Sequence, residues 1–278
     1  MRSAAARNIL KAWLLLTGVC ALLALAGWAL DGYRVALLFA FCGLLAGVAA
    51  YWYADRAVLG MIRAREVLPA DAPSFHSLVE RLSSRARIVK PRLYVLPDGL
   101  PLALATGRDP ASSSLAVSAG LLALPAPAEL EGVLAHELAH VRHRDILVQT
   151  IAVVVACLIV EASRIGGWLE RGLLFVLGPV AAAFVNVLLS PKREFEADLL
   201  AADLCESPHG LADALVRLDQ ASELVSFSAS PATEPLYTFD PFADEGLARL
   251  FATHPPIAER VARLRALDPG WKERLEAA

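Results

Sequence analysis

V-L-A-H-E-L-A-H-V-R-H-R-D, running from Val133 to Asp145, contains the short pattern H-E-x-x-H and is the best starting point for interpreting this chain. Pro127 and acidic residues precede the pattern and arginines follow it, as is typical of a helix whose charges complement its dipole. Residues four apart share one helix face, so His136 and His140 present two imidazoles to the same point. Zinc binds imidazole nitrogens, and Glu137 can act as a base on water at such an ion.

The two histidines do not complete a catalytic zinc site, which has three protein ligands. In the longer pattern H-E-x-x-H-x-x-G-x-x-H the third ligand lies on the same helix. Here His143 occupies the Gly position and Ile146 the last His position, so the third ligand must come from another segment. The short pattern also occurs by chance, and a helical His is often an ordinary surface or core residue.

The composition indicates a membrane protein with a water-soluble part. Hydrophobic residues make up 56% of the 278 residues, whereas soluble domains are about 45–50% apolar. The excess is concentrated in a few long runs. The net charge of −3 gives no reason to expect a nucleic-acid partner.

Two apolar runs near the N-terminus, Trp13–Leu30 and Val35–Tyr53, are each long enough to cross a bilayer as a helix. The polar turn Asp31–Arg34 between them predicts a transmembrane hairpin, which we assign to residues 1–56. A signal peptide ending near Ala24–Ala26 is the alternative, but the apolar run continues past that site.

The basic residues predict the orientation of this hairpin. Arg56, Arg63 and Arg65 follow the second span, whereas the turn before it carries only Arg34. By the positive-inside rule, the N-terminus and everything after Tyr53 lie in the cytoplasm. We therefore expect a protein of the inner (plasma) membrane whose active site faces the cytoplasm.

Residues 57–145 are expected to form the first part of a soluble domain. Hydrophobic periodicity predicts an amphipathic helix over Ser74–Arg87. Three strands are predicted between it and the histidine helix: Arg92–Leu96, Leu102–Thr106 and Ser114–Ser118. A sheet edge beside a metal ion can hold an extended peptide through main-chain hydrogen bonds. A purely structural sheet is the alternative.

A second pair of apolar runs, Ile146–Val160 and Leu173–Leu189, follows the histidine helix. The first run can continue that helix. Together the two runs predict a second hairpin over residues 146–190, either transmembrane or re-entrant. This hairpin divides the soluble domain, whose second part is residues 191–278.

The second part opens with a helix that carries three carboxylates, begun by Ser190 as cap and Pro191 as first helical residue. Glu194 and Asp198 are four apart and share a face, whereas Glu196 points roughly the opposite way. Glu194 is therefore the best candidate for the third ligand. Asp198 can hold a ligand His through its other ring nitrogen, and we interpret Glu196 as a solvated surface residue.

Several short motifs occur along the chain in this order: Ala105–Arg108 (A-T-G-R), Gly120–Leu122 (G-L-L), the H-E-L-A-H helix, Arg193–Asp198 (R-E-F-E-A-D), Thr253–Pro256 (T-H-P-P) and Glu259–Arg260 (E-R). In this combination the chain resembles the HtpX-type membrane zinc endopeptidases, bacterial relatives of the CAAX-prenyl endopeptidases. The resemblance extends from about Arg63 to about Leu264, and the N-terminal hairpin agrees in hydropathy only. The family's usual P-N-A-F-A-T-G is P-L-A-L-A-T-G here, without its Asn and Phe.

The resemblance implies one zinc ion per chain, bound by His136, His140 and Glu194, with Glu137 as the catalytic base. Helix geometry selects the same four residues. The resemblance alone implies that His254 points at the zinc and stabilises the oxyanion, with Arg260 nearby.

We therefore predict a mainly helical α+β fold, in which a multi-pass membrane protein carries a gluzincin-type zinc peptidase domain with a small β-sheet. The predicted function is hydrolysis of peptide bonds in misfolded or damaged membrane proteins, a quality-control task in stress responses. The expected partners are the lipid bilayer and membrane-protein or peptide substrates. The alternatives are a CAAX-type processing protease, a site-2-type intramembrane protease and a non-enzymatic membrane scaffold.

Overall fold

The computed structural model describes residues 2–97, 99, 101–124, 126–151, 191–222 and 255–268. Its helices and strands occur in this order: α1 Arg2–Met61, β1 Arg65–Glu66, α2 Pro73–Ala86, β2 Arg92–Leu96, β3 Ala103–Thr106, β4 Ser114–Ser118, α3 Ala119–Leu122, α4 Pro127–His143, α5 Pro191–Cys205, α6 His209–Ser222 and α7 Ile257–Ala266. Residues 146–151 are also helical. The described part of the chain is thus mainly helical, with one small mixed sheet.

The N-terminal helix α1 is a hairpin broken at one point. Asp31 and Gly32 leave the helical conformation, and Gly32 has φ 72 and ψ −156, a combination that is open mainly to glycine. The two arms lie side by side, with the rings of Trp13 and Tyr51 stacked at 5.4 Å. The turn predicted between the two apolar runs is therefore confirmed.

Both arms of α1 present apolar side chains outward. Asn8–Ala29 and Asp31–Met61 are long and apolar enough to cross a membrane, and little of either is buried within the protein. Trp28 and Leu37, for example, are 65% and 66% exposed. Such surfaces suit lipid tails rather than water. The second arm continues as a helix beyond Tyr53, where its apolar run was predicted to end.

A four-stranded mixed sheet follows α1, with the strand order β1-β2-β4-β3. β2 and β4 are parallel, whereas β1 pairs with β2, and β3 with β4, in antiparallel directions. The strands β2 and β4 begin and end at the predicted residues, and β3 begins at Ala103 rather than Leu102. The sequence does not predict β1, because its two residues are too few to show an alternating pattern.

The sheet is attached to the second arm of α1. The guanidinium of Arg92 at the start of β2 lies 3.4 Å from the carboxylate of Asp55. Arg108, which follows β3, places its guanidinium carbon 4.1 Å from the ring centroid of Trp52, a cation–π distance. These contacts hold the sheet close to the C-terminal end of the hairpin.

The histidine helix α4 is packed against α2, β3, α5 and α6. Two glycines allow the backbones of α4 and α6 to meet. A Cβ on Gly132 would lie 2.5 Å from the backbone nitrogen of Leu211, and a Cβ on Gly210 would overlap the carbonyl oxygen of Ala128. This close approach fixes α4 against α6.

Replacing either Gly132 or Gly210 by Ala is expected to lower the stability of the fold by about 1–3 kcal/mol, as overpacking usually does. Alanine favours a helix over glycine by about 1 kcal/mol, but rigid backbone atoms oppose the new methyl group. Gly60→Ala is the matched control, since a Cβ there meets nothing within 4 Å. Midpoints of thermal unfolding in detergent would test this, and an unchanged midpoint for both core variants would contradict the close packing.

The apolar run after Asp145 does not continue the histidine helix without a break, as the sequence allowed. Arg144 adopts a left-handed conformation with φ 61 and ends α4. The N–H groups of Arg144 and Asp145 turn back to the carbonyl oxygens of Val141 and His140 at 3.1 and 3.0 Å, so the helix end is closed by its own backbone. Residues 146–151 start a new helical stretch, and the rest of the predicted second hairpin, 152–190, lies outside the described residues.

Candidate metal centre

Three predicted ligands meet in the core beside the α4–α5 contact. The Nε2 atoms of His136 and His140 are 3.2 Å apart. The carboxylate of Glu194 on α5 lies 3.6 Å from each of them, Oε2 facing His136 and Oε1 facing His140. All three residues are almost completely buried. Helix periodicity explains the arrangement, because one turn of α4 separates the histidines and α5 presents Glu194 from the opposite side.

The geometry of this cluster fits a zinc ion. Zinc bonds to nitrogen and oxygen are about 2.0–2.1 Å, so tetrahedral ligand atoms lie about 3.4 Å from one another. The three separations in the cluster are close to that value. Two imidazoles and one carboxylate are also the donor set of a known class of catalytic zinc site.

His136 is oriented by a buried ion pair. Its Nδ1 lies 2.9 Å from Oδ1 of Asp198. Arg260 on α7 is fully buried and binds the same carboxylate through two atoms, Nε to Oδ2 at 2.9 Å and Nη2 to Oδ1 at 2.7 Å. Since a carboxylate only accepts, Nδ1 of His136 carries the proton and Nε2 is left to face the cluster.

Burial and neighbouring charges shift the pKa values of Asp198 and Arg260 in opposite directions. Burial alone would raise the pKa of Asp198, but the charge and hydrogen bonds of Arg260 and the hydrogen bond from His136 lower it to about 2. Burial would lower the pKa of Arg260, but the charges of Asp198, Glu194 and Glu137 raise it. Both groups therefore stay ionised at neutral pH.

His140 is oriented by a second carboxylate. Its Nδ1 lies 3.4 Å from Oδ2 of Asp145, just beyond the end of α4. Arg193 lies between the two acids, with Nη2 3.3 Å from Glu194 and Nε 3.8 Å from Asp145. Burial would raise the pKa of Asp145, but the hydrogen bond from His140 and the charge of Arg193 lower it. Each histidine therefore has a carboxylate on its outer nitrogen.

The cluster favours positive charge. Burial would lower the pKa of His140, but attraction to Glu194 and hydrogen bonds with Asp145 and Glu194 raise it to about 10. A buried site that stabilises a proton on His140 so strongly also suits a bound cation.

Glu137, the predicted base, is buried beside the cluster and is 2% exposed. On α5 the structure places Glu194 and Asp198 inward, whereas Glu196 is exposed and lies 3.7 Å from Lys192. His254 lies outside the described residues.

The contacts of two residues of this site escape sequence analysis. Asp145 follows the end of α4, where helical spacing no longer applies, and only its position after the pattern hints at a role. The resemblance places Arg260 near His254, which lies outside the described residues, and gives no sign that Arg260 binds Asp198, as it does in the structure. A separation of 62 residues between Arg260 and Asp198 leaves no local signal for this pair.

A buried His-His-Glu cluster, formed by an H-E-x-x-H helix and a glutamate of a second helix within a mainly helical fold that has a small mixed sheet, defines a metallopeptidase. Residues 69–268 match Peptidase family M48, and the chain belongs to that family. The protein is accordingly a membrane metalloprotease, and the resemblance seen in the sequence is confirmed.

Curated relatives are similar in sequence along almost the whole chain. A protease HtpX homolog from Pelotomaculum thermopropionicum is 41% identical, with 94% of this chain and 99% of the relative aligned. Another protease HtpX homolog, from Acidiphilium cryptum, is 40% identical over 93% of this chain and 96% of its own. The crystal structure of S. mikatae Ste24p is similar in fold, with a TM-score of 0.50 and 17% identity. That match covers 95% of this chain and 66% of the Ste24p chain.

Proposed function

We propose that this protease binds one zinc ion through His136, His140 and Glu194 in a gluzincin-type site and cleaves membrane proteins on the cytoplasmic side of the inner membrane. The observation that carries the proposal is the set of ligand separations, 3.2, 3.6 and 3.6 Å, at a buried site. When bound, the zinc supplies Lewis acidity that polarises the scissile carbonyl and acidifies water.

The protein's own groups carry the proton transfers. Glu137 accepts a proton from the attacking water and donates it to the leaving amine as the C–N bond breaks. Asp198 and Asp145 keep the two imidazoles in the tautomer that leaves Nε2 free for the metal. His254 is proposed, on the resemblance alone, to donate to the developing oxyanion.

Extended peptides are the substrates that this fold suits. β3 is an edge strand of the described sheet and packs against α4, which carries both histidines. An edge strand can hold a peptide by main-chain hydrogen bonds without regard to its sequence. Such binding would serve a quality-control protease, whose substrates share no sequence.

Membrane proteins are favoured as substrates because the site lies close to the ends of the hairpin α1. Asn8, at the start of the first apolar arm, donates to the carbonyl of Arg144 at the end of α4 at 3.0 Å. The second arm contacts the sheet through Asp55 and Arg92. Both ends of the hairpin therefore lie on the same side as the peptidase part.

The contacts of α4 support a site outside the bilayer, against the site-2-type alternative. Soluble-type elements surround the helix, and its first turn carries the buried Glu129, which pairs with Arg217 of α6 at 2.7 and 2.8 Å. The division into residues 1–56, 57–145, 146–190 and 191–278, with a second membrane hairpin in the third segment, remains part of this proposal.

The topology predicts opposite accessibility for two engineered cysteines. In a variant lacking the four native cysteines, Tyr33→Cys at the hairpin tip should react with a membrane-impermeant maleimide in intact cells. Glu80→Cys on α2 should react only after permeabilisation. Both wild-type side chains are well exposed, so access to the reagent and not burial decides the result. Labelling of Glu80→Cys in intact cells would reverse the orientation.

Substrate trapping tests the proposed function. The Glu137→Gln protein, expressed in membranes, should retain uncut substrates, which mass spectrometry would identify. Multi-pass proteins cut in cytoplasmic loops would support quality control. Enrichment of proteins with lipidated C-termini would instead favour the CAAX-type alternative.

A further inference from the structure

The start of α1 reaches the metal centre through one side chain, that of Asn8 in its second turn. The amide nitrogen Nδ2 of Asn8 lies 3.0 Å from the carbonyl oxygen of Arg144 and 3.0 Å from Oδ1 of Asp145. It is also 3.4 Å from the carbonyl oxygen of His143. An Asn amide carries two protons, so the two shorter contacts account for both.

Asn8 and His140 bind opposite oxygens of the same carboxylate. Asn8 donates to Oδ1 of Asp145, and Oδ2 of Asp145 lies 3.4 Å from Nδ1 of His140. A carboxylate held at both oxygens cannot rotate freely about its χ2 bond. The orientation of Asp145, and through it that of the His140 ring, therefore depends on the position of Asn8.

The two histidines differ in how their carboxylates are held. Asp198, the partner of His136, is clamped by Arg260 of the peptidase part at 2.7 and 2.9 Å. Arg193 approaches Asp145 only to 3.8 Å, so the nearer side-chain donor to that carboxylate, besides its His140 contact, comes from α1.

We propose that Asn8 is a positioning residue of the metal centre, through which docking of the first membrane helix orients Asp145 and His140 for metal binding. The inference rests on the proposed function, in which His140 is a ligand. It makes α1 a component of the active site as well as a membrane anchor. Zinc affinity would then respond to anything that moves the start of α1 relative to α4.

The test measures the zinc dissociation constant of the full-length protein in detergent by competition with a chelator. Changes to the hydrogen-bond partners of metal ligands typically cost about 10- to 100-fold in affinity. We expect Asn8→Ala to weaken zinc binding by about 10-fold, at the lower end of that range. Asn8→Asp should weaken it more, since a second carboxylate would face Asp145 and two carbonyl oxygens. Thr17→Ala is the control, because Thr17 lies on the same arm and its hydrogen bond within the described part of the chain is local, to the carbonyl oxygen of Trp13 at 2.7 Å.

A double-mutant cycle separates positioning from simple anchoring of the helix. If Asn8 acts through Asp145, Asn8→Ala should have no further effect on zinc affinity once Asp145→Ala is present. An equal loss in both backgrounds would overturn the proposal, as would zinc affinity within twofold of wild type for both Asn8 variants. If Asp145→Ala does not fold, the Asn8 variants decide the question. Their metal-free midpoints of thermal unfolding must match that of Thr17→Ala while their zinc affinities fall, and a shared fall in both quantities would indicate anchoring only.

His140→Ala separates this inference from the proposed function. If His140→Ala bound zinc as tightly as the wild type, His140 would not be a ligand and the proposed metal site itself would be refuted. If His140→Ala lost zinc while Asn8→Ala kept the wild-type zinc affinity, the proposed metal site would stand and only the role of Asn8 would be overturned.

Discussion

The Glu137→Gln protein is expected to keep its zinc while its rate of peptide cleavage falls by about 10²- to 10⁴-fold, the range of general acid–base catalysis. Gln has nearly the same shape as Glu, so the packing of this 2% exposed side chain is preserved. It cannot accept a proton from water, and the attack on the carbonyl loses its base. Cleavage of casein by the purified protein in detergent, with zinc content measured on the same sample, checks both parts.

Glu196→Gln is the matched control, because it makes the same chemical change on α5 outside the cluster. The Glu196 side chain is 55% exposed and pairs with Lys192, so both activity and zinc content should remain at the wild-type level. Cleavage at the wild-type rate by Glu137→Gln would exclude Glu137 as the base. Loss of zinc from that variant would instead make Glu137 a ligand.

Removing a ligand should have a different signature, in which zinc is lost and activity with it. His136→Ala, His140→Ala and Glu194→Ala each leave two of three protein ligands. We expect the loss of zinc affinity to exceed the about 10- to 100-fold seen when outer hydrogen-bond partners are changed.

Thermal unfolding with and without zinc measures this loss independently of catalysis. An ion present at about a thousand times its dissociation constant stabilises the folded state by about 4 kcal/mol. The wild-type midpoint should therefore rise on adding zinc, and the midpoints of the three ligand variants should not. Glu196→Ala should respond as wild type does. Zinc-dependent stabilisation of Glu194→Ala would place the third ligand elsewhere.

The parts of the site that sequence predicts are those set by local helix geometry. His136 and His140 share a face because they are one turn apart, and the structure brings their Nε2 atoms to 3.2 Å. The same rule separates Glu194 from Glu196 on α5, and the structure buries the first and exposes the second. Their roles as ligands, base or surface residues remain predictions until the variants are measured.

The parts that sequence does not predict depend on where the chain leaves a regular element or meets a distant one. Asp145 reaches His140 only because α4 ends at a left-handed Arg144, whereas the sequence allowed the helix to continue there. Asn8 lies 137 residues before its carboxylate partner. No pattern within either segment records this contact, since tertiary packing alone creates it.

The buried pair of Arg260 and Asp198, which orients His136, has a consequence for the order in which the parts of the site appear during synthesis. Synthesis proceeds from the N-terminus, so the H-E-x-x-H helix emerges first, then Asp198, and Arg260 only 124 residues after His136. A nascent chain that ends before Arg260 already contains the three proposed metal ligands and the proposed base. It lacks the guanidinium that keeps Asp198 charged and aligned within the core. The proposed centre therefore lacks one of its orienting contacts until α7 has been made, so that an unfinished protease among other membrane proteins carries an incompletely oriented site.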